Sequence, residues 1–463
     1  MNWSLVIKRF VLASIVFLFL TSFLNGQNGT YRIHLLVIDL PEDQIFRLIS
    51  IKGNALEPVD SFFSQNGAVD FVYSKPLPRG QYSITWQNNQ KFIDFLFNNE
   101  HYIELHTNHK DPIQNLKVIS SEENKYFVKF LKIKDELYYL IDMGDEIYSK
   151  NPKDPLLGII IDKIDSINNE LSKFIKNVPE EFLAYKVIKA NIHPSLEEFN
   201  KTHPNNRYND IKFFYKRHWF DNIDKQDSAL VNTPVIYEAV KFYLQNLVEP
   251  PDTEQYKKAV DFILSQFSWN EQQYKYVLNL LLNTFYTPQY ESVFLYIYFN
   301  YMHDTQCSAS VSDENYRKAM MITKLSKGAE APELTGITLD SDSFRLSNIT
   351  NKPVLLIFWA PDCYHCKSIM PYINNLYEKY GDDIYFVSFS IDTNVDAIKK
   401  ATKEDSIKFT VITDLQGYNG ENCLRWYIWG TPTFFIIDKN GKIYSSPYSF
   451  EGLENDIKTV LLN

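Results

Sequence analysis

The chain has 463 residues, 45% of them hydrophobic and 22% charged, and a formal net charge of −10 at pH 7. That length suits roughly two to four domains, and the apolar content excludes an intrinsically disordered chain. An acidic balance without a lysine or arginine run excludes a basic nucleic-acid-binding surface, so no nucleic acid partner is expected.

Residues 1–26 have the layout of a secretory signal peptide. Lys8 and Arg9 precede the apolar run Phe10 to Leu20, and the turn-forming Asn25, Gly26 and Gln27 follow. The apolar stretch is about 15 residues, shorter than the ~18–20 that cross a bilayer. The mature chain is therefore expected outside the cytoplasm, in the periplasm or cell envelope. Its first cysteine is Cys307, so no N-terminal cysteine is available for lipidation, and a lipoprotein is not expected.

Residues 27–118 are β-rich in pattern, which points to a small sandwich-like domain. Tyr31 to Ile38 is strand-like. Val59 to Phe63 and Val69 to Tyr73 flank Asn66-Gly67, a hairpin signal, and short strands follow at Gly80–Trp86 and Phe92–Phe97. His101, His106 and His109 invite a metal reading. On one strand, however, His101 and His106 fall on opposite faces because their separation is odd, so surface histidines are expected, with no metal and no cofactor.

Residues 119–327 are helical in pattern. Thr233-Pro234 is a helix start, with Ile236, Val240, Tyr243 and Leu247 at helical spacing and Pro250-Pro251 as the stop. Tyr274 to Phe285 and Val293 to Tyr301 are further apolar helices, and no solenoid-type repeat appears.

Residues 328–463 carry the chemistry. Val354 to Trp359 is a continuous apolar run, as in a strand buried on both faces. Helical spacing begins at Tyr364, so Cys363 and Cys366 lie where a strand ends and a helix begins. Cys363 at the helix N-terminus meets unpaired N–H groups that favour a thiolate. Cys366, one turn deeper, is a shielded resolving thiol. So close a pair closes too small a loop to stabilise the fold much, which leaves redox exchange or metal binding. His365 inside the motif favours the thiolate, and hence an oxidant or isomerase, whereas Asp362 opposes it.

Pro371 within the helix and Gly430-Thr431-Pro432-Thr433 before the apolar strand Phe434 to Ile437 complete a pattern. With FWAPDCYHC and the opening Gly328 to Leu334, this region resembles the thioredoxin superfamily, in particular its TlpA/ResA-like extracytoplasmic branch. The resemblance implies an α/β thioredoxin fold at the C-terminus, preceded by the all-β domain and an all-α middle domain. It also implies a thiol–disulfide oxidoreductase with Cys363 as nucleophile and Cys366 as resolving thiol. Trp359 and His365 would support them, and a cis Pro432 with Thr431 would shape the peptide site. Protein thiols or disulfides would be the substrates, and a membrane redox protein the partner. The front domains resemble, more loosely, β and helical domains of unknown function in related envelope proteins, through "PLPRGQYSI", "HWFDNID" and "TPVIYEAVKFYLQNLV".

Two positions depart from the family pattern. Ile357 stands where many thioredoxins carry a buried acid, and Ile369 where ResA-like proteins often carry glutamate. Neither acid is available to shuttle a proton for Cys366, which speaks against a specialised cytochrome-maturation role. Three other readings stay open: a thiol peroxidase, metal binding by Cys363, Cys366 and His365, and an envelope binding or scaffold protein with a secondary redox site. Cys423 is read as a core residue, and a bond between it and Cys307 is a further alternative.

Overall fold

Alternation along Tyr31–Ile38 (β1) turns Ile33, Leu35 and Val37 inward and leaves Arg32, His34 and Leu36 on the other face. The same period-two pattern recurs in Ala68–Tyr73 (β4) and Tyr102–Asn108 (β7), and in Ile45–Lys52 (β2) on either side of a register shift at Leu48/Ile49. In this computed structural model, which describes residues 30–302 and 308–462, those strands build two four-stranded sheets. The orders are β4-β1-β7-β8 and β3-β2-β5-β6, where β3 is Ala55–Phe63, β5 Gly80–Trp86, β6 Lys91–Phe97 and β8 Lys117–Ser120. Ile33, Leu35 and Phe71 of one sheet share a core with Phe46, Ile84 and Phe95 of the other, which makes the region a sandwich. The expected signal peptide and Cys307 lie outside the described residues.

The Asn66-Gly67 turn forms, but it does not close a hairpin. β3 pairs with β2, and β4 pairs with β1 in the opposite sheet, so the turn is a corner between sheets. Asp43 holds that corner by accepting from the N–H groups of Asn66 and Gly67, each at 3.0 Å. Gly67 has φ +77, and a Cβ there would lie 2.5 Å from the Val37 carbonyl oxygen, so no larger residue fits.

A helical region follows the sandwich. Its first helix, Glu122–Lys150, is capped by the Ser121 hydroxyl, which accepts from the Asn124 N–H. Val235–Phe242 starts after Pro234 and continues as a π-helical turn to Leu247, and Glu249-Pro250 is cis. Among these helices a cavity of about 920 Å³ is lined by Phe130, Leu137, His193, Trp219 and Phe242. No helix of the described residues is long and apolar enough to cross a membrane.

The described chain separates into two compact units between Val277 and Leu278. In the second, a seven-stranded sheet runs β10-β9-β13-β12-β11-β14-β15. Here β9 is Thr335–Thr338, β10 Ser343–Arg345, β11 Val354–Trp359, β12 Tyr385–Ser390, β13 Thr410–Thr413, β14 Thr433–Ile437 and β15 Ile443–Ser445. β11 is parallel to β12 and antiparallel to β14, and is buried throughout, as its unbroken apolar run requires. Leu355, Ile357 and Trp359 face a core shared with the helices Tyr364–Tyr380, Val395–Glu404 and Leu453–Leu462. Leu356 and Phe358 face the other core, which includes Trp426 and, from the helix Ser308–Lys324 and just beyond it, Met321 and Leu325. This is a thioredoxin-like α/β fold whose second face is closed by a helix lying before the module's first strand.

Candidate active site

β11 ends at Trp359, whose carbonyl accepts from the Ile391 N–H at 2.9 Å and ties the strand end to the chain after β12. The chain turns at Ala360, and Cys363 becomes the N-cap of the helix Tyr364–Tyr380. Its sulfur takes the place an N-cap serine or aspartate oxygen usually holds, accepting from the Cys366 N–H at 3.2 Å. The Cys363 thiol also donates to the Thr431 carbonyl, at 3.3 Å. That carbonyl belongs to a cis Thr431-Pro432 bond, the geometry the resemblance implied. Cys363 is half-buried and Cys366 is 1% exposed, and both are free thiols. One sulfur is thus accessible and held between a donor and an acceptor, while the other is withdrawn into the core.

Cys366 sits among Ile357, Trp359, Ile369, Met370 and Phe434. Burial pushes its thiol up to about 12, and a hydrogen bond with Cys363 adds to the shift, against opposing hydrogen bonds with the Ala360 backbone and Thr431. The two isoleucines that replace family acids thus form part of the wall that keeps this thiol protonated.

The remaining residues singled out by sequence are less closely engaged. Trp359 is fully buried, and its indole N–H has no hydrogen-bond partner among the described residues. His365 is exposed, its ring 5.8 Å from that of Tyr364, and no described hydrogen bond joins it to either sulfur. Asp362 is exposed. Cys423 is a fully buried free thiol, pushed up to about 12 chiefly by burial. Of the three histidines singled out in the sandwich by sequence, His101 stacks on Tyr31, His106 pairs with Glu104, and His109 accepts from the Trp86 indole, so these three do not gather.

Two residues that sequence reasoning passed over complete the surroundings of Cys363. Burial raises the Tyr418 phenol, a hydrogen bond with Thr431 opposes this, and electrostatic coupling to Cys363 and Cys366 raises it further. Arg317, 5% exposed, donates from Nη1 to the Tyr418 carbonyl at 2.9 Å and to the Ile428 carbonyl at 2.7 Å. One guanidinium thereby ties together the loop bearing Tyr418 and the loop leading to Thr431-Pro432. Beside it, the Lys318 ammonium lies 4.2 Å from the Trp429 ring centre and 4.6 Å from that of Tyr286, and the Trp429 indole donates to the Tyr286 hydroxyl at 3.2 Å. No motif or spacing announced these residues, because Arg317 and Lys318 lie on a helix upstream of the recognisable module.

Residues 327–446 match the family model described as AhpC/TSA family. Over 122 residues the chain is 34% identical to the thiol-disulfide oxidoreductase ResA of a Bacillus cereus strain, covering 26% of this chain and 68% of that protein. The chain belongs to the ResA family of thiol-disulfide oxidoreductases. A second ResA, from Geobacillus kaustophilus, is 30% identical over 123 residues, again 26% of this chain and 68% of that one. The crystal structure of the thioredoxin domain of a Bacteroides vulgatus thiol-disulfide oxidoreductase is 27% identical, with a TM-score of 0.29, and covers 30% of this chain and 99% of that one. ResA-family similarity therefore accounts for the C-terminal enzyme module. Arg317, Lys318 and Tyr286 lie ahead of the segment the family model matches.

Proposed function

We propose that this is an exported enzyme that exchanges disulfides with protein substrates through Cys363 and Cys366. The observation that carries the proposal is the pairing of an accessible Cys363 sulfur, held between the Cys366 N–H and the Thr431 carbonyl, with a buried Cys366. As a thiolate, Cys363 attacks one sulfur of a substrate disulfide. A mixed disulfide forms, and the other substrate sulfur leaves as a thiolate that takes up a proton. Cys366 then gives up its proton and attacks the Cys363 sulfur, forming the internal disulfide and releasing the second substrate thiolate. Two electrons pass from the cysteine pair to the substrate, and the reverse sequence oxidises substrate thiols.

The N–H of Cys366 supports the charge on the attacking sulfur. The backbone at Thr431, beside the half-buried Pro432, supports an extended substrate segment. Trp359 packs against Cys366 and fixes the depth of the resolving thiol. His365 is exposed to water, so solvent screens its influence on the pair. The signal-like residues 1–26 support export to the periplasm or envelope, where a membrane redox protein would restore the pair to its working state.

The test uses the mature chain, residues 27–463, in insulin reduction and in equilibration with glutathione followed by thiol alkylation. Cys363→Ser should abolish turnover, and Cys366→Ser should accumulate a mixed disulfide with substrate. Full activity in Cys363→Ser, or no reversible couple at any glutathione ratio, overturns the proposal. Peroxide consumption that requires Cys363, without insulin reduction, would favour the thiol peroxidase. Loss of both activities with retained partner binding would favour the scaffold.

A further inference from the structure

Strand register assembles a polar cluster on the outer face of the β4-β1-β7-β8 sheet. His34 is paired with Asp70 on β4 and with Glu104 on β7, and His106 is two residues further along β7. These residues alternate with core positions Ile33, Leu35, Val69, Phe71, Ile103 and Leu105, so their side chains share the outer face. One ligand atom each from His34, Glu104 and His106 lies within 4.8 Å of the other two, and all three residues are half-buried.

The neighbours of this trio are arranged as the outer shell of a metal site. The His34 Nδ1 is 2.8 Å from the Asp70 carboxylate. With Nδ1 engaged by Asp70, Nε2 is the His34 ring nitrogen left free of that contact to face a ligand. Arg32 anchors Asp70 through two hydrogen bonds, at 2.7 and 2.8 Å. Glu104 is oriented in turn, its Oε2 accepting from the Tyr102 hydroxyl at 2.9 Å while its Oε1 lies 2.9 Å from the His106 Nε2. Carboxylate-backed histidine and a hydrogen-bonded carboxylate ligand are the supports that metal ligands characteristically have.

We propose that His34, Glu104 and His106 bind a divalent transition ion of the zinc class. Two imidazoles and one carboxylate suit zinc, copper or nickel better than the all-oxygen preference of calcium or magnesium. With Arg32 balancing Asp70, Glu104 supplies the net negative charge that faces the ion. Three protein ligands leave at least one coordination position for water. Binding replaces the His106–Glu104 hydrogen bond with contacts from both residues to the ion.

The experiment uses the mature chain with Cys363 and Cys366 oxidised to the disulfide and other accessible thiols alkylated, so that sulfur does not compete for metal. Zinc is titrated against a chromogenic chelator, and cobalt is used as a spectroscopic probe of imidazole coordination. The wild type is expected to bind a single equivalent and to melt at a higher temperature when zinc is present. His34→Gln and His106→Gln should each weaken binding by at least about tenfold, as should Asp70→Asn through loss of the outer shell. His101→Gln and His109→Gln should bind as wild type. All substituted positions are on strand faces or turns that meet solvent, and the zinc-free melting temperature checks that each variant is folded. The proposal is overturned if the wild type binds no zinc at micromolar levels, or if the His34→Gln, His106→Gln double variant binds it as the wild type does.

Discussion

Burial of Cys366 should make the second step of exchange proton-limited. Its thiol is moved from an ordinary 9.0 up to about 12. Near neutral pH the ionised fraction then falls from roughly one in 10² to roughly one in 10⁵, about a thousandfold loss. A more basic thiolate is the better nucleophile, and a Brønsted slope of about 0.4–0.5 over this shift returns roughly 15–30-fold. The net slowing is on the order of 30–70-fold relative to an unburied thiol. The assay is single-turnover release of thionitrobenzoate from a mixed disulfide on Cys363, followed by stopped-flow absorbance. The rate should rise about tenfold per pH unit between about pH 6 and about pH 9, because the raised thiol is still protonated throughout that window. Ile369→Glu places a carboxylate base one helical turn from Cys366. It should raise the neutral-pH rate by on the order of tenfold and flatten the slope. A wild-type rate independent of pH over this range would refute the reasoning, since it would mean that Cys366 is already ionised.

Three further outcomes follow from other contacts. Arg317→Met leaves the carbonyls of Tyr418 and Ile428 without their guanidinium donor; chemical denaturation should show a loss of about 2–4 kcal/mol, and KM for a peptide disulfide should rise. His365→Ala should move the Cys363–Cys366 reduction potential by no more than about 10 mV in glutathione equilibration, because solvent screens an exposed side chain that makes no described hydrogen bond to either sulfur. Cys423, raised from 9.0 to about 12 by burial, favours the fold below its unfolded value and loses that contribution as pH rises from about 9 towards about 12. Unfolding free energies from urea titrations at about pH 8 and about pH 10 should therefore differ more in the wild type than in Cys423→Ala, by roughly 1 kcal/mol.

Much of the catalytic module was legible in the sequence because its signals are local. An unbroken apolar run can hardly be other than a central strand, and cysteines at the strand-to-helix junction are bound to meet helix N–H groups. Pro432 before an apolar strand marked the loop that faces them. The sandwich was legible strand by strand, yet not in its pairing, because Asn66-Gly67 specifies a tight turn without saying whether its two strands share a sheet. His34 escaped notice for a similar reason, since parallel pairing of β1 with β7 joins residues some seventy positions apart. Arg317 and Tyr418 were invisible because their roles lie in hydrogen bonds and proximity that only the folded chain creates. His365, conspicuous within the motif, points away into water.

The Arg317 clamp bears on how such enzymes can be recombined. A chimera that transplanted only the stretch resembling ResA would carry both sulfurs and the cis proline, but it would leave behind the guanidinium that fastens the Tyr418 loop to the loop leading to that proline, and the lysine held between Trp429 and Tyr286. The natural cutting point for grafting this chemistry onto another protein lies upstream, near Leu278, so what sequence comparison delimits as the enzyme is smaller than the part that would have to travel together.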